Sequence, residues 1–285
     1  ELKGIAAVLF GEFHERSLDA DLGLALALDA QAGLREDLRI LVMSATLDGA
    51  RVAEMLGEAE IIESEGRAFP VETRYVGRDP NRRIEDEMVD AILRATRAEA
   101  GSILVFLPGQ GEIKRVETRL REQIRDPLID IAPLFGAMDQ QAQDLAVQSA
   151  RHGRRKIVLA TSIAETSLTI EGVRIVLDSG LARVPRYEAG LGLTRLETVR
   201  VSRAAADQRR GRAGRTEPGM CIRLWEEAAT GAMEAFARPE ILSADLSGLV
   251  LDCAAWGVTD LKTLKLLDQP PLPALKEASL LLESI

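Results

Sequence analysis

The sequence predicts an α/β fold of parallel sheets covered by helices, followed by an all-helical segment. Hydrophobic residues make up 46% of the 285 residues and aromatic residues only 4%, so the cores must be aliphatic. Aliphatic cores are typical of parallel α/β layers. Strand and helix patterns alternate with short links between residues 71 and 177. Beyond Glu226 only helical patterns remain.

Two strands and two helices are predicted before residue 60. The apolar run Ala6–Phe10 indicates a buried strand, and apolar residues recur at helical spacing from Leu18 to Leu34. A second strand is predicted over Arg39–Met43, followed by a short helix that Asp48 caps and Gly57 ends. Because four elements are too few to close a doubly wound sheet, we expect the chain to begin partway through a domain.

Regular strand and helix alternation follows a linker-like stretch at residues 63–70, and it predicts a parallel sheet with helices on both faces. The predicted strands cover residues 71–76, 103–107, 131–135, 156–160 and 173–177, and the predicted helices cover residues 83–98, 111–124 and 140–150. A β-hairpin is predicted from Tyr187 to Val201, around Gly190-Leu191-Gly192. Later helices are predicted at Leu246–Trp256 and after Pro270-Pro271.

Charge is distributed unevenly along the chain. The net charge is −9 and the isoelectric point is near 5.0, which argues against a protein that coats nucleic acid indiscriminately. Residues 181–215 nevertheless contain nine arginines and three acidic residues, a local net charge of +6. An acidic body with one basic stripe is typical of a localised phosphate site.

The two cysteines and the absence of long apolar runs indicate the compartment. Cys221 and Cys253 lie in apolar contexts without metal-ligand spacing, which predicts reduced core side chains. No apolar run approaches transmembrane length and no signal peptide opens the chain. We therefore expect a cytoplasmic protein without membrane contact.

The most informative segment is the octet Gln208-Arg209-Arg210-Gly211-Arg212-Ala213-Gly214-Arg215. Arg212 and Arg215 are three residues apart, so a helix would place both on one face. A glycine beside each arginine lets another surface approach closely. Permanently charged, planar guanidinium groups suit the charge that develops on a triphosphate during phosphoryl transfer. The octet alone also allows a simpler hypothesis, an arginine patch that only contacts nucleic-acid phosphates.

Four further segments lie at the carboxyl ends of predicted strands, where parallel α/β sheets place ligand sites. They are Gly11-Glu12-Phe13-His14, Ser44-Ala45-Thr46, residues 104–113 (LVFLPGQGEI) and residues 161–170 (TSIAETSLTI). In this order and spacing, the segments and the octet closely resemble the DEAH/DExH-box RNA helicases of superfamily 2. Residues 13–21 and 238–252 resemble the bacterial HrpB-type ATP-dependent helicases in particular.

The resemblance implies three domains. Residues 1–68 would be the C-terminal part of a first RecA-like domain, whose sheet is incomplete. Residues 69–224 would be a second RecA-like domain with a β-hairpin. Residues 225–285 would be an all-α winged-helix-type domain, truncated at its end.

The resemblance also implies which residues serve ATP hydrolysis. Glu12 would polarise the attacking water and contact Mg²⁺ through water, and His14 would couple this site to the octet. Ser44 and Thr46 would relay the nucleotide state between domains. The other roles implied for ATP are water binding by Gln208, arginine fingers at Arg212 and Arg215, and nucleotide contacts by Ser167, Thr169, Glu171 and Arg209.

The implied RNA contacts are to the backbone rather than to bases. The residues concerned are Gly109, Thr161, Arg186 and Arg195. A hydroxyl, a bare backbone amide and guanidinium groups suit phosphates and carry no base information, so we expect sequence-independent binding. The implied partner is single-stranded RNA, or an RNA duplex with a single-stranded tail.

The chain departs from the family pattern in two places. Gly11 stands where the family has an aspartate that holds the magnesium shell, so binding of Mg²⁺-ATP should weaken. None of the six lysines follows a glycine, so the Gly-Lys-[Ser/Thr] phosphate loop is absent from these residues. In this family that loop lies upstream, in an N-terminal half that we expect to be missing here.

Two functional hypotheses follow. In the first, the chain is a fragment of an ATP-dependent RNA helicase that uses ATP and Mg²⁺, and it does not hydrolyse ATP by itself. In the second, it is a degenerate helicase-like module that binds RNA without turnover. Gly11 favours the second hypothesis, whereas Glu12 and the intact octet favour the first.

Overall fold

The computed structural model describes residues 2–45, 49–64, 66, 69–165, 168, 170–188 and 191–284. The strands are β1 (Ala7–Phe10), β2 (Arg39–Val42), β3 (Val71–Tyr75), β4 (Ser102–Phe106), β5 (Ile129–Leu134), β6 (Arg155–Ala160), β7 (Val173–Asp178), β8 (Leu181–Glu188), β9 (Leu193–Arg200) and β10 (Gly219–Arg223). The α-helices are α1 (Leu18–Gly33), α2 (Gly49–Met55), α3 (Ile84–Ala98), α4 (Gln110–Gln123), α5 (Gln140–Val147), α6 (Arg203–Gly211), α7 (Glu227–Thr230), α8 (Ser247–Trp256) and α9 (Leu272–Glu283).

Backbone contacts divide the chain into two compact units. The first unit comprises residues 1–64, 185–197 and 237–285. The second unit comprises residues 65–184 and 198–236. The three-domain division predicted from the sequence stays a prediction.

The second unit is built around a six-stranded, all-parallel sheet in the order β3-β10-β7-β4-β6-β5. Central strand β4 is buried along its whole length, and its side chains alternate between two cores. Ile103 and Val105 pack in one core, whereas Leu104 and Phe106 pack in the other. A strand buried on both faces has helices on both sides, which confirms the predicted α/β class.

The first unit contains the parallel pair β1–β2 and the long helix α1. The Ser17 hydroxyl caps this helix by accepting a hydrogen bond from the Ala20 amide at 3.2 Å. Two sides of α1 are buried: Leu24 packs in a cluster with residues of β1 and β2, and Leu22 packs in a cluster with residues 241–278. The helix is therefore apolar almost all round, as a helix between two layers must be.

Two details differ from the sequence-based expectations. The hairpin is longer than predicted, since β8 begins at Leu181 rather than near Tyr187. The octet is not one continuous α-helix, because α6 ends at Gly211 and a 3₁₀ turn spans Arg212–Gly214. After β10, the described residues contain helices and turns without strands, as predicted.

The predictions for the cysteines and for membrane spans can be compared with the structure. Cys221 and Cys253 are both buried, which confirms them as core residues. Within the described ranges, no helix has the length and apolarity needed to cross a membrane.

Candidate functional site

The turn after β1 presents Glu12 in an unusual backbone conformation. Glu12 has φ 50° and ψ 33°, in the left-handed region, and a single 3₁₀ turn, Phe13–Glu15, follows it. Phe13 is fully buried, and its amide donates to the carbonyl of Met43, just after β2, at 3.1 Å. The buried ring anchors the turn while the Glu12 side chain remains 54% exposed. The turn therefore holds one carboxylate toward solvent at the carboxyl end of a strand.

His14 is buried against Glu12. Only 5% of its side chain is exposed, and its Nε2 lies 3.4 Å from Glu12 Oε2, without hydrogen-bond geometry. Its Nδ1 accepts a hydrogen bond from the Ala45 amide at 3.2 Å. An accepting Nδ1 assigns the ring proton of the neutral imidazole to Nε2, on the side of the carboxylate. His14 thus connects Glu12 to the segment that follows β2.

The segment after β2 contains the two residues predicted to relay nucleotide state. Ser44 is exposed and adjoins Ala45, which bonds to His14. Thr46 lies outside the described residues. The relay roles of both residues stay predictions.

Gly11 leaves room for a larger side chain. A Cβ at this position would find only Met43 Cε, at 4.0 Å, and the backbone is not in the left-handed region. An aspartate would therefore fit sterically. Across the described ranges, no three His, Cys, Asp or Glu side chains are grouped so that they could hold a metal ion. The side chains of the described residues do not by themselves form a magnesium site.

In the second unit, Arg209 of α6 is the most deeply buried of the predicted site residues. It has no exposed surface, and its guanidinium bonds to Glu165 at 2.7 Å and to Asp178 at 2.7 Å. It also lies 4.8 Å from the centre of the Phe106 ring. Burial alone would lower the pKa of Arg209, but the charges of Asp178 and Glu165 raise it, so the residue stays ionised. Arg209 therefore has no surface open to a nucleotide in this conformation, and its predicted nucleotide contact stays a prediction.

The two predicted arginine fingers differ in their surroundings. Arg212 is buried, and its guanidinium donates to the backbone carbonyls of Leu168, at 2.8 Å, and Glu165. Arg215 is exposed. Gln208 is half-buried, and its Nε2 is buried without a hydrogen-bond partner in the described part of the chain. Of the two predicted fingers, Arg215 is therefore exposed and Arg212 is held by loop carbonyls, and the Gln208 amide is a donor without a partner among the described residues.

The glycines of the octet play unequal roles. A Cβ at Gly214 would lie 2.6 Å from the Phe69 carbonyl oxygen, so the chain before β3 requires glycine there. A Cβ at Gly211 would meet no atom within 4 Å. The expected close approach is therefore present at Gly214 and not at Gly211.

The segment Thr161–Ile170 is described only in part. Thr161 precedes a 3₁₀ turn, Ser162–Ala164, and its amide donates to the Leu134 carbonyl at 3.2 Å. Glu171 is exposed, and its Oε2 accepts a hydrogen bond from the Ser149 hydroxyl at 3.1 Å. The predicted nucleotide contacts Ser167 and Thr169 lie outside the described residues. The roles of these residues stay predictions.

Gly109 lies directly before α4 and is covered by an arginine. A Cβ at Gly109 would lie 2.5 Å from Arg183 Nη1, so a side chain here would displace that guanidinium. Arg183 also donates to Glu112 Oε1 at 3.1 Å. The predicted RNA-backbone contact at Gly109 therefore has a cation next to it, which sequence reasoning had not singled out.

The predicted hairpin arginines form cross-strand ion pairs. Arg186 lies 3.0 Å from Glu197, and Arg195 lies 3.6 Å from Glu188. All four side chains are more than a third exposed, so the pairs contribute little to stability. The arginines can therefore exchange these carboxylates for phosphates at small cost.

Known proteins resemble the chain over nearly its whole length. Residues 84–217 match the helicase conserved C-terminal domain. The ATP-dependent RNA helicase HrpB of Escherichia coli (strain K12) is 49% identical over 285 residues, which are 100% of this chain and 35% of HrpB. The ATP-dependent RNA helicase HrpA of the same strain is 35% identical over 98% of this chain and 22% of HrpA. A crystal structure of the Escherichia coli DEAH/RHA helicase HrpB superimposes with a TM-score of 0.93, covering 99% of this chain and 36% of that one.

The chain is therefore similar to HrpB-type DEAH/DExH-box helicases over its whole length. It spans about a third of the length of HrpB and less of HrpA. This similarity confirms the resemblance seen in the sequence, and with it the RecA-like character of the parallel sheets.

Sequence reasoning missed the residues that hold the helicase motifs in place. Glu165 and Asp178 bind Arg209 in the second unit, and Arg16, Asp21 and Asp268 form an ion-pair network in the first. Asp178 could have been found, because it is an acid at the carboxyl end of a predicted strand. The pairing of Arg16 with Asp268 joins residues 252 positions apart, and Asp268 lies in none of the segments that carry the family resemblance.

Proposed function

We propose that this chain is part of an ATP-dependent RNA helicase that couples ATP hydrolysis to movement along RNA. The main supporting observation is the Glu12 turn, in which an exposed carboxylate lies against a buried imidazole that bonds to the segment after β2. The similarity to HrpB over the whole chain supports the same function.

Glu12 would act as the base that polarises the attacking water. A general base must reach the proton that it abstracts, and the half-exposed Glu12 carboxylate can do so. His14 Nε2 lies 3.4 Å from this carboxylate and would orient it after a small rotation that brings the two groups into hydrogen-bond geometry. Since His14 Nδ1 bonds to Ala45, movement of the segment after β2 would alter the position of the base.

Arg212 and Arg215 would stabilise the charge that develops on the triphosphate. In other phosphoryl-transfer systems an arginine finger contributes about 10³- to 10⁵-fold in rate. Arg212 here bonds to the carbonyls of Glu165 and Leu168, so it would have to exchange them for phosphate oxygens. Gln208, with a buried amide nitrogen that lacks a partner among the described residues, would hold the attacking water.

RNA would bind through its backbone, without base recognition. Gly109 with Arg183, Thr161, and the hairpin residues Arg186 and Arg195 supply amide, hydroxyl and guanidinium groups. These groups recognise phosphate and ribose rather than base edges. Single-stranded RNA, or a duplex with a tail, is the proposed partner.

The test requires a longer polypeptide in which a segment with the Gly-Lys-[Ser/Thr] loop precedes this chain. With Gly11→Asp in that polypeptide, RNA should stimulate ATP hydrolysis, measured as phosphate release. Adding Arg212→Ala should then lower kcat about 10³-fold or more. Arg97→Ala, which removes an exposed arginine of α3 with no predicted role, is the matched control and should leave the rate unchanged. An unaltered rate in the Arg212 variant would show that the finger assignment is wrong.

The alternative function is an RNA-binding module without turnover. Gly11 favours it, because glycine supplies no oxygen for the magnesium shell. This alternative predicts RNA binding but no phosphate release from the longer polypeptide, both with and without the Gly11→Asp substitution. The same assay therefore separates the two functions.

A further inference from the structure

The turn that bears Glu12 and His14 ends at Arg16, whose backbone is also left-handed, with φ 51°. The Arg16 amide donates to the Phe13 carbonyl at 3.1 Å, and its own carbonyl accepts from the Glu240 amide at 3.0 Å. The side chain is buried and passes 5.9 Å from the centre of the Phe13 ring. Arg16 therefore ends the turn, and its carbonyl connects the turn to Glu240 of the same unit.

The Arg16 guanidinium is shared between two aspartates. It donates to both oxygens of Asp21, in α1, at 3.0 Å and 3.1 Å. It also donates to Asp268 Oδ2 at 2.6 Å, and the other oxygen of Asp268 accepts from Arg51 at 3.2 Å. Two nitrogens of Arg16 already bond to Asp21. The further bond to Asp268 therefore connects Arg16 to the segment that precedes α9.

A second acid from the C-terminal residues holds the same stretch of chain. Glu240 Oε2 accepts a hydrogen bond from the Leu18 amide at 2.8 Å, at the start of α1. Residues 16 and 18 are thus both held by acids that lie more than 220 positions away. Asp268 and Glu240 therefore fix the position of residues 16–18, which connect the Glu12 turn to α1.

Stability alone is a poor explanation for this arrangement. A buried ion pair often contributes no more to stability than apolar side chains of the same size would. A strained backbone that persists must be held by its surroundings, and such residues cluster at functional sites. Here both ends of the turn, Glu12 and Arg16, are left-handed, and the ion pairs act on one of them.

We propose that Arg16 is a positioning residue for Glu12 and His14, and that Asp268 sets its position. The C-terminal residues of the first unit would thereby control the geometry of the ATP-hydrolysis turn. This inference rests on the proposed function as far as Glu12 and His14 act on ATP.

The test uses the two histidines of the 285-residue chain as probes. The nitrogen and carbon-bound proton signals of His14 report its tautomer and its bond to Ala45 by nuclear magnetic resonance. His152, an exposed turn residue of the second unit, is the internal reference. Asp268→Asn removes the charge that faces Arg16 and keeps the side-chain size. Asp260→Asn is the matched control, because Asp260 caps a short turn of the same unit and has no bond to Arg16.

In Asp268→Asn we expect the His14 signals to shift toward a mixture of tautomers, while the His152 signals stay unchanged. Amide exchange at Phe13, Glu15 and Arg16 should become about tenfold faster or more, since a buried charge pair is broken. Asp260→Asn should change neither. If Asp268→Asn does not fold, Asp268→Glu, which keeps the charge but displaces the carboxylate, should shift the His14 signals in the same direction by less.

A wild-type His14 spectrum in the folded Asp268 variant would overturn the proposal, as would equal shifts in the Asp260 control. These measurements involve neither ATP nor RNA. A failure of the proposed function would appear in the phosphate-release assay instead, so the two failures can be told apart.

Discussion

At the scale of single residues, the left-handed backbone of Glu12 is the clearest mark of function. A non-glycine residue in this region costs about 1–2 kcal/mol, and no local hydrogen bond from the Glu12 side chain to a cap offsets it. A glycine would fit the backbone better but would remove the carboxylate. The chain therefore keeps a residue that is unfavourable for folding and that its proposed chemistry needs.

This strain can be measured directly. Glu12→Gly should raise the free energy of unfolding of the first unit by about 1 kcal/mol, because glycine adopts the left-handed conformation without a steric cost. Unfolding in urea can be followed by the fluorescence of Trp256, which lies in this unit, in a Trp225→Phe background. Glu15→Gly, at a neighbouring position with ordinary backbone angles, is the control and should lower the stability. A loss of stability in Glu12→Gly would show that the turn is not strained.

The cysteines provide a pH-dependent prediction. Burial raises the pKa of the Cys221 thiol to about 12, and burial also raises the pKa of Cys253. The thiols of the unfolded chain ionise near a pH of about 8.5, whereas those of the folded chain stay protonated. The free energy of unfolding should therefore be constant with respect to these thiols below that pH and should fall as the pH rises above it. For Cys221 the slope should approach about 1.4 kcal/mol per pH unit, and Cys253 should act in the same direction.

Thiol reactivity gives a second measurement of the same property. At a pH of about 8, a thiol reagent should react slowly with the folded chain and rapidly with both cysteines in urea. Rapid reaction of one thiol in the folded chain, without loss of structure, would contradict the burial of that residue.

At the scale of elements, the buried arginine Arg209 connects α6 to three parts of its sheet. Arg209 connects the helix to Asp178 at the end of β7, to Glu165 after β6 and to the Phe106 ring of β4. Helix α6, strands β4 and β7, and the segment after β6 therefore all contact the buried guanidinium of Arg209. The helix supplies the residue, but only the sheet order places its three partners around it.

Removing this arginine should destabilise the second unit strongly. Arg209→Ala leaves two carboxylates without their buried partner, so the free energy of unfolding should fall by about 3–5 kcal/mol. Urea unfolding followed by Trp225 fluorescence, in a Trp256→Phe background, measures this unit. Arg210→Ala, the neighbouring position, removes a side chain that is 43% exposed and should cost less than about 1 kcal/mol. Equal effects at the two positions would contradict the assigned role of Arg209.

At the scale of the whole molecule, an acidic chain is proposed to bind an anionic polymer. The net charge of −9 opposes binding, and the basic stripe at residues 181–215 must therefore supply the attraction locally. Binding through phosphates releases counterions, so affinity should fall as salt concentration rises. The number of arginines involved determines how steeply it falls.

The salt dependence can be tested with labelled single-stranded RNA. Arg186→Ala and Arg195→Ala should each reduce the slope of log affinity against log salt by about 0.7, the value for one phosphate contact on a single strand. Fluorescence anisotropy at several salt concentrations measures the slope, and Arg97→Ala is again the control. A slope near zero for the unmodified chain would exclude backbone binding as the basis of its interaction with RNA.

Periodic patterns predicted most of the elements correctly. The apolar run of β4 and the helical spacing in α1 and α3 were sufficient, because these elements are extensively buried and the pattern is continuous. The start of β8 was missed because Leu181–Arg186 has no regular alternation, and its pairing with β9 is set by the partner strand. Helix α6 was not predicted from the sequence, and its end at Gly211 depends on Arg212, just beyond it, which is held by carbonyls of another loop.

The sequence by itself determined the α/β class, the resemblance to HrpB-type helicases and the location of Glu12, His14 and the octet, because each depends on residues that are close together in the chain. Only the tertiary structure decided that Arg209 is buried among acids, that His14 bonds to Ala45, and that Arg16 pairs with Asp268. These contacts join segments that are far apart in sequence, and a local pattern holds no information about which distant side chain will neutralise a buried charge.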